Sequence, residues 1–337
     1  MQIKVKRYNL QFKQPFQIAH GMRYHTEALY VEVYLNNVVG YGEATFPPYL
    51  SYNRNVCIAL LQNCKVKFDA DTFLQNGFQT DLMLPPPANA ALSMALFDLY
   101  GKLIKKPIHQ VLQAPLKPVA TYTIGMCALN DLPQKLEQAS DFKLLKIKLG
   151  GHDDKAFVKE IKRITSQAFC VDANQGWTNI DTAIKMIDFL YDMGCTFVEQ
   201  PLPVAMHDTQ AELIVRSKLP LIADESCQTV DDVKELANRF NGINIKLMKC
   251  GGLHEALQLI HAANQHNLTI MLGCMSEGSV GCSAAAQLAG YAQTVDLDGP
   301  LLNSNDPFNG ITYHNGALVL NHKFGIGVTP NNLYKPL

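Results

Sequence analysis

From residue 119 onward, short apolar or β-branched runs alternate with amphipathic stretches at a nearly fixed interval. The runs are VATYTI (119–124), LLKIKL (144–149), AFCVDA (168–173), CTFVE (195–199), PLIAD (220–224), INIKL (243–247), TIMLG (269–273) and QTVDL (293–297), and their starts lie 23 to 27 residues apart. The gaps between them carry helical periodicity, as in Asp153–Gln167, Asn179–Met193, Val230–Phe240 and Leu253–His266. Seven β/α units and a final strand of this length predict an α/β fold closed into a (β/α)8-type barrel. An open doubly wound sheet also alternates in this way, but the even spacing and the lack of G-x-G-x-x-G after the first strand favour the barrel.

Before residue 119 the pattern is α+β. Residues 2–7 and 28–35 read as strands, the second ending at the turn signal Asn36-Asn37. Tyr52–Asn63 and Pro87–Leu103 read as helices, the latter entered through Pro85–Pro87 with Ala91, Met94, Ala95 and Leu99 at helical spacing. The glycines of Gly40-Tyr41-Gly42-Glu43-Ala44 are expected to serve a close turn.

Composition narrows the class of partner. The 337 residues carry 29 Lys+Arg against 30 Asp+Glu, 47% apolar residues and 18% charged ones. That balance provides no field to gather polyanions, so neither nucleic acid nor a membrane surface is expected as a partner. No run approaches the roughly 18 apolar residues of a spanning helix, and MQIKVKRYNL lacks a signal-peptide core. Nine cysteines without a C-x-x-C pair fit reduced, buried thiols and a cytoplasmic protein. Nothing here opposes self-association into a homo-oligomer.

The chemistry sits at the strand ends. Reading only the C-terminal ends of the runs gives Lys146 and Lys148, Asp172 and Asn174, Glu199, Asp224, Lys246 with Lys249 beyond it, and Asp296 with Asp298. Lone charges in otherwise apolar strands cost several kcal/mol each unless paired or metal-bound. In an eight-stranded barrel the second and sixth strands are diametrically opposite, so Lys148 and Lys246 should face each other across the mouth. Asp172, Glu199 and Asp224 come from three successive strands between them. Three carboxylates without His or Cys form a hard oxygen set suited to Mg²⁺. Lysines on opposite faces of a metal-held substrate predict proton removal on one side and delivery on the other, hence inversion at carbon. Lys146 lies two residues before Lys148, on the same side of its strand.

The segments KIKLG (146–150), VDANQGW (171–177), VEQPL (198–202), ADES (223–226) and INIKLMKCGG (243–252) resemble the enolase superfamily, specifically its muconate-lactonising subgroup. The resemblance spans nearly the whole chain. It implies an N-terminal α+β capping domain (residues 1–116), a modified (β/α)7β TIM-like barrel (117–318) and a C-terminal tail returning to the cap (319–337). VDLDGP (295–300) looks like the dipeptide epimerases, in which an Asp-x-Asp pair captures a free ammonium group while the substrate carboxylate binds Mg²⁺. Carried over, Lys148 and Lys246 become the acid/base catalysts, and Asp172, Glu199 and Asp224 the metal ligands. Lys146, Thr123, Asp296 and Asp298 then surround the substrate. The resemblance also implies a specificity loop at His20-Gly21-Met22-Arg23-Tyr24-His25, with Arg23 pairing a glutamate side chain and Met275 and Ser276 shaping the same pocket. The expected substrates are L-Ala-D/L-Glu, a peptide of cell-wall breakdown, and related Xaa-Glu dipeptides. The rivals are an N-acylamino-acid racemase, an o-succinylbenzoate synthase or a muconate-type cycloisomerase, and, from another class, a catalytically silent barrel. Gly150-Gly151 and Gly251-Gly252 are expected to shape turns rather than hold phosphate, and Trp177 either walls the pocket or packs beneath a loop.

Overall fold

Apolar residues on alternate positions of the first 45 residues build a three-stranded antiparallel sheet: β1 (Gln2–Ile18), β2 (Gly21–Leu35) and β3 (Val38–Thr45). The computed structural model describes residues 1–18, 21–48, 51–113, 117–151 and 153–335. β1 and β2 run well past the predicted strands as one long hairpin, paired from Gln2 opposite Tyr34 to Ile18 opposite Gly21. The register shifts between Gln11 and Phe16, where Pro15 has no N–H to give the ladder, so four residues of β1 face one of β2. Residues 21–25, expected in a loop, are therefore strand. His20 of that expected loop lies outside the described residues, as do residues 114–116 at the expected end of the cap.

Two helices follow, α1 (Arg54–Asn63) and α2 (Pro86–Leu103). The Asn53 side chain starts α1 by accepting the N–H groups of Asn55 and Val56. α2 buries 14 of its 18 residues, because β3 covers one side and the barrel another. At Gly40 and Gly42 an added Cβ would fall onto the carbonyls of Ala95 and Ala91. These glycines thus let a strand press against a helix, a close approach in place of the expected turn.

The eight runs after residue 119 form parallel strands β4 (Val119–Ile124), β5 (Leu144–Lys148), β6 (Ala168–Asp172), β7 (Cys195–Glu199), β8 (Leu221–Ala223), β9 (Gly242–Ile245), β10 (Thr269–Gly273) and β11 (Thr294–Asp296). They close in the order β8-β9-β10-β11-β4-β5-β6-β7. Between them lie α3 (Leu132–Gln138), α4 (Asp154–Ile164), α5 (Ile180–Asp192), α6 (His207–Arg216), α7 (Val233–Leu236), α8 (Leu253–Gln265) and α9 (Ser279–Ala286). This is a (β/α)7β barrel. The predicted helix 230–240 is shorter than expected: a 3₁₀ turn, Val230–Asp232, fixed by the Thr229–Asp232 capping box, leads into the single turn of α7. No helix among the described residues is long and apolar enough to cross a membrane.

Buried carboxylates fasten the layers. Asp98 of α2 accepts the N–H of Tyr41 (2.9 Å) and of Ile326 (3.0 Å) and pairs with Lys102 at 2.6 Å. One side chain thereby joins α2, β3 and the C-terminal segment. Further along that segment, Tyr334 packs on Tyr30, Tyr41 and Phe308 and donates to Glu32 at 2.7 Å.

Glu43 of β3 reaches from the cap to the barrel. It accepts the N–H groups of Gly278 (2.6 Å) and Gly281 (2.9 Å) at the start of α9. Burial, with Asp306 and Glu277 nearby, pushes its carboxyl up to about 8 from 4.5, although those two N–H groups oppose the rise. Between pH 4.5 and about 8 the folded protein therefore holds more protons at Glu43 than the unfolded chain, and this group's contribution to stability falls as pH rises. In Glu43→Gln that slope is absent. Thermal denaturation at pH 5 and pH 8 should show the wild type losing more stability than the variant over this interval.

Candidate active site

Alternation along the strands explains which side chains meet inside the barrel. Residues two apart share a face, so Thr121 and Thr123 of β4, Lys146 and Lys148 of β5, and Asn244 with Lys246 around the end of β9 all turn inward. Asp172 ends β6, Glu199 ends β7, and Asp224 follows β8 directly. β5 and β9 stand four strands apart in the closed order, so Lys148 and Lys246 approach from opposite sides.

A cavity of about 460 Å³ opens above them. Lys148, Lys246, Asp224, Asp296, Asp298, Thr123, Arg23, Met275 and Ser276 all line it. Asp172 and Glu199 are fully buried at its base. Lys146, expected beside the substrate, is absent from the cavity wall. It is 1% exposed and reaches Asp296 at 2.7 Å, Glu199 at 2.8 Å and Asp172 at 3.2 Å. Trp177 is also buried rather than part of the wall.

The remaining lysines pair with the carboxylates of the cluster. Lys148 lies 2.6 Å from Asp172, and Lys246 lies 2.7 Å from Asp224. Lys249, read in the sequence without a role, holds the other oxygen of Asp224 at 2.6 Å and the Asn244 carbonyl at 3.0 Å. Asn244 was missed altogether; its amide donates to Glu199 at 2.8 Å. Its signal was present, since it is a polar residue on the inward face two positions before Lys246. Glu225, Asn174, Gln175, Phe16 and Tyr52 also line the cavity.

Charge is unevenly shared. Burial resists ionisation of Asp172, but Lys148 and Lys146 outweigh it and bring the carboxyl down to about 2. Asp224 is likewise held well below its usual range, against its burial, by Lys246 and Lys249. Glu199 moves the other way, up to about 8, through burial and the adjacent Asp172 charge. Burial opposes the charge on Lys146, yet Asp296, Glu199 and Asp172 keep that lysine well above its ordinary value.

One oxygen from each of Asp172, Glu199 and Asp224 lies within 4.8 Å of the other two. Glu199 Oε2 is buried with no hydrogen bond of good geometry; its contact with Lys146 is an ion pair only. Three close, buried, hard oxygen donors, one with spare acceptor capacity, fit Mg²⁺.

Asp296 at the end of β11 and Asp298 just beyond it lie beside this cluster, and Lys146 joins Asp296 to it. Asp296 accepts from the hydroxyls of Thr121 (2.8 Å) and Thr123 (3.2 Å) besides Lys146. Asp298 accepts the Thr123 N–H at 2.7 Å, and burial together with Asp296 pushes it up to about 7. Arg23 donates to Ser276 at 2.7 Å and to Thr26 at 3.2 Å, so it links the cap hairpin to the loop after β10. The N–H groups of the first glycine pair are taken within the chain, and the second pair begins at a helix C-cap. The Asp154 carboxylate already occupies the N–H groups of Gly150 and Gly151, while Gly251 and Gly252 have positive φ and Gly252 abuts Ser93.

Comparison with known proteins agrees with this geometry. Residues 131–334 match the family described as enolase C-terminal domain-like. The L-Ala-D/L-Glu epimerase of Bacteroides thetaiotaomicron is 38% identical, over 95% of this chain and 86% of that protein. A substrate-liganded L-Ala-D/L-Glu epimerase from Bacillus subtilis superposes with a TM-score of 0.88 at 28% identity, over 98% of each chain. A dipeptide epimerase from Enterococcus faecalis, complexed with Mg and L-Leu-L-Tyr, gives the same TM-score and identity over 97% of this chain and 99% of that one. Two lysines across a barrel mouth, a carboxylate triad between them and relatives of this kind over nearly the full length lead to one conclusion: the chain belongs to the enolase superfamily, among its dipeptide epimerases.

Proposed function

We propose that the protein is a Mg²⁺-dependent dipeptide epimerase that inverts the C-terminal residue of Xaa-Glu dipeptides, L-Ala-Glu foremost. The observation that carries this is the placement of Lys148 and Lys246 on strands four apart, both lining one cavity above the Asp172–Glu199–Asp224 cluster. In this reading the three carboxylates hold the cation. When bound there, Mg²⁺ supplies positive charge beside the substrate carboxylate, lowering the cost of the negative charge that develops as the adjacent carbon loses its proton.

The chain's own residues do the rest. One lysine, neutral when it acts, takes the α-proton from its face; the other, protonated, delivers one to the opposite face, and the configuration inverts. The reverse reaction exchanges their roles. Asp296 and Asp298 receive the N-terminal ammonium through charge-assisted hydrogen bonds, with Thr123 fixing both carboxylates. Lys146 beneath them neutralises Asp296 and the base of the cluster, a positioning role. Arg23, held by Ser276 beside Met275, faces the glutamate side chain. An enolising enzyme whose substrate lacks a free amine gives Asp298 no role, which favours the dipeptide reading. We further place the substrate among peptides of cell-wall breakdown and the enzyme in the cytoplasm, a setting that suits its free cysteines.

Proton NMR of L-Ala-L-Glu with enzyme and Mg²⁺ in D₂O tests the reading. The glutamate α-proton signal should disappear as the L-Ala-D-Glu diastereomer appears, and chelation of the metal should stop both; a signal that persists with Mg²⁺ present contradicts it. Asp298→Ala isolates the ammonium site, since Asp298 makes no ion pair with the lysines around the cluster. It should raise KM for the dipeptide about ten- to a hundredfold, the worth of a charge-assisted hydrogen bond. Mg²⁺ affinity, measured by calorimetry, should be unchanged.

A further inference from the structure

Beside the site lies a second cavity, of about 490 Å³, for which the roles above have no use. Phe16, Thr123 and Leu302 line both cavities. Away from that shared wall three rings form one side of the second cavity: Tyr122 packs on Phe142 and Phe142 on Tyr313, with ring centroids 5.1 and 5.2 Å apart. The bulged stretch of β1, Lys13 to Phe16, forms another side, so the register shift in the hairpin is what supplies it. The Tyr313 hydroxyl is buried with no hydrogen-bond partner among the described residues, which is costly unless a ligand or water supplies one.

The shared wall also bears the ammonium site, because Thr123 donates to both Asp296 and Asp298. In a dipeptide, the N-terminal side chain branches from the carbon that carries the ammonium group. With that group at the two aspartates and the C-terminal residue between the lysines, the N-terminal side chain stands at Thr123, at the boundary of the second cavity. We propose that this cavity receives the N-terminal side chain, so that the substrates include dipeptides beginning with a large, uncharged aromatic residue. The inference rests on the epimerase reading. Aromatic walls suit an aromatic ring. The Tyr313 hydroxyl offers a hydrogen bond to a polar tip, as in tyrosine. Lys13 and Lys135 against Asp141 leave a positive balance that disfavours lysine or arginine at this position.

The test compares kcat/KM for L-Ala-L-Glu, L-Phe-L-Glu, L-Tyr-L-Glu and L-Lys-L-Glu with Mg²⁺ present. It uses the wild type, Gln138→Trp, which narrows the cavity from the exposed side of α3, and Tyr313→Phe, which removes only the hydroxyl. The wild type should turn over L-Phe-L-Glu within about threefold of L-Ala-L-Glu, and L-Lys-L-Glu about tenfold less well. Gln138→Trp should lower the Phe-to-Ala ratio about tenfold. Tyr313→Phe should lower the Tyr-to-Phe ratio about fivefold while the Phe-to-Ala ratio holds. Turnover of L-Ala-L-Glu with L-Phe-L-Glu about a hundredfold slower, or ratios unmoved in both variants, overturns the subsite and leaves the epimerase reading standing. Failure to turn over any dipeptide overturns both.

Discussion

Burying ionised groups is the constraint on which this structure depends. Four lysines, at positions 146, 148, 246 and 249, stand with Asp172, Glu199, Asp224 and Asp296 at the top of a closed barrel, all of them buried. Each lysine lies within 2.6 to 3.2 Å of at least one of these carboxylates. An unpaired charge at that depth costs several kcal/mol, so the pairs are shared: Asp224 holds two lysines and Lys146 meets three carboxylates. The barrel provides the pairing through register: Lys148 stands beside Asp172, and Asp172 beside Glu199, as direct partners of adjacent strands. A one-residue slip would turn these side chains to the opposite face. The chemistry and the fold thus share a single requirement.

The cap completes what the barrel leaves open. Its sheet and α2 are pressed together at Gly40 and Gly42, and α2 continues into the barrel at Ser93, which accepts the Leu253 N–H at 3.1 Å. Glu43 and Arg23, both from the cap sheet, reach the start of α9 and the loop before it. The cavity is therefore walled by two parts of the chain far apart in sequence. Position 23 contacts position 276, and position 16 lies beside both cavities.

This division decides what the sequence could reveal. The barrel was legible because eight apolar runs recur at a regular interval, and a charge at the end of an apolar strand has few structural uses. Lys148, Asp172, Glu199, Asp224 and Lys246 could be named for that reason, and the structure brings them together. Asn244 obeyed the same alternation but is uncharged, and it escaped notice among its apolar neighbours. The hairpin was underestimated because its outer half, beyond Gln11, is interrupted by Pro15 and exposed at Lys13–Pro15 and at most of residues 21–25, so it lacks the alternation of a half-buried strand. Lys146 shares a face with Lys148 but stands two residues earlier on its strand, one layer deeper, where it meets carboxylates instead of the cavity. The second cavity was not legible at all, since it arises from the docking of a bulge in the cap against Tyr122, Phe142 and Tyr313.

The central claim is that two lysines serve opposite faces of one carbon. It is tested most directly by proton NMR in D₂O on Lys148→Ala and Lys246→Ala, each incubated with Mg²⁺ and separately with L-Ala-L-Glu and L-Ala-D-Glu. Both variants should fail to interconvert the diastereomers. Each should exchange the glutamate α-proton of only one of them, and the diastereomer that exchanges should differ between the two variants. Interconversion by either variant, or exchange of the same diastereomer by both, would contradict the account.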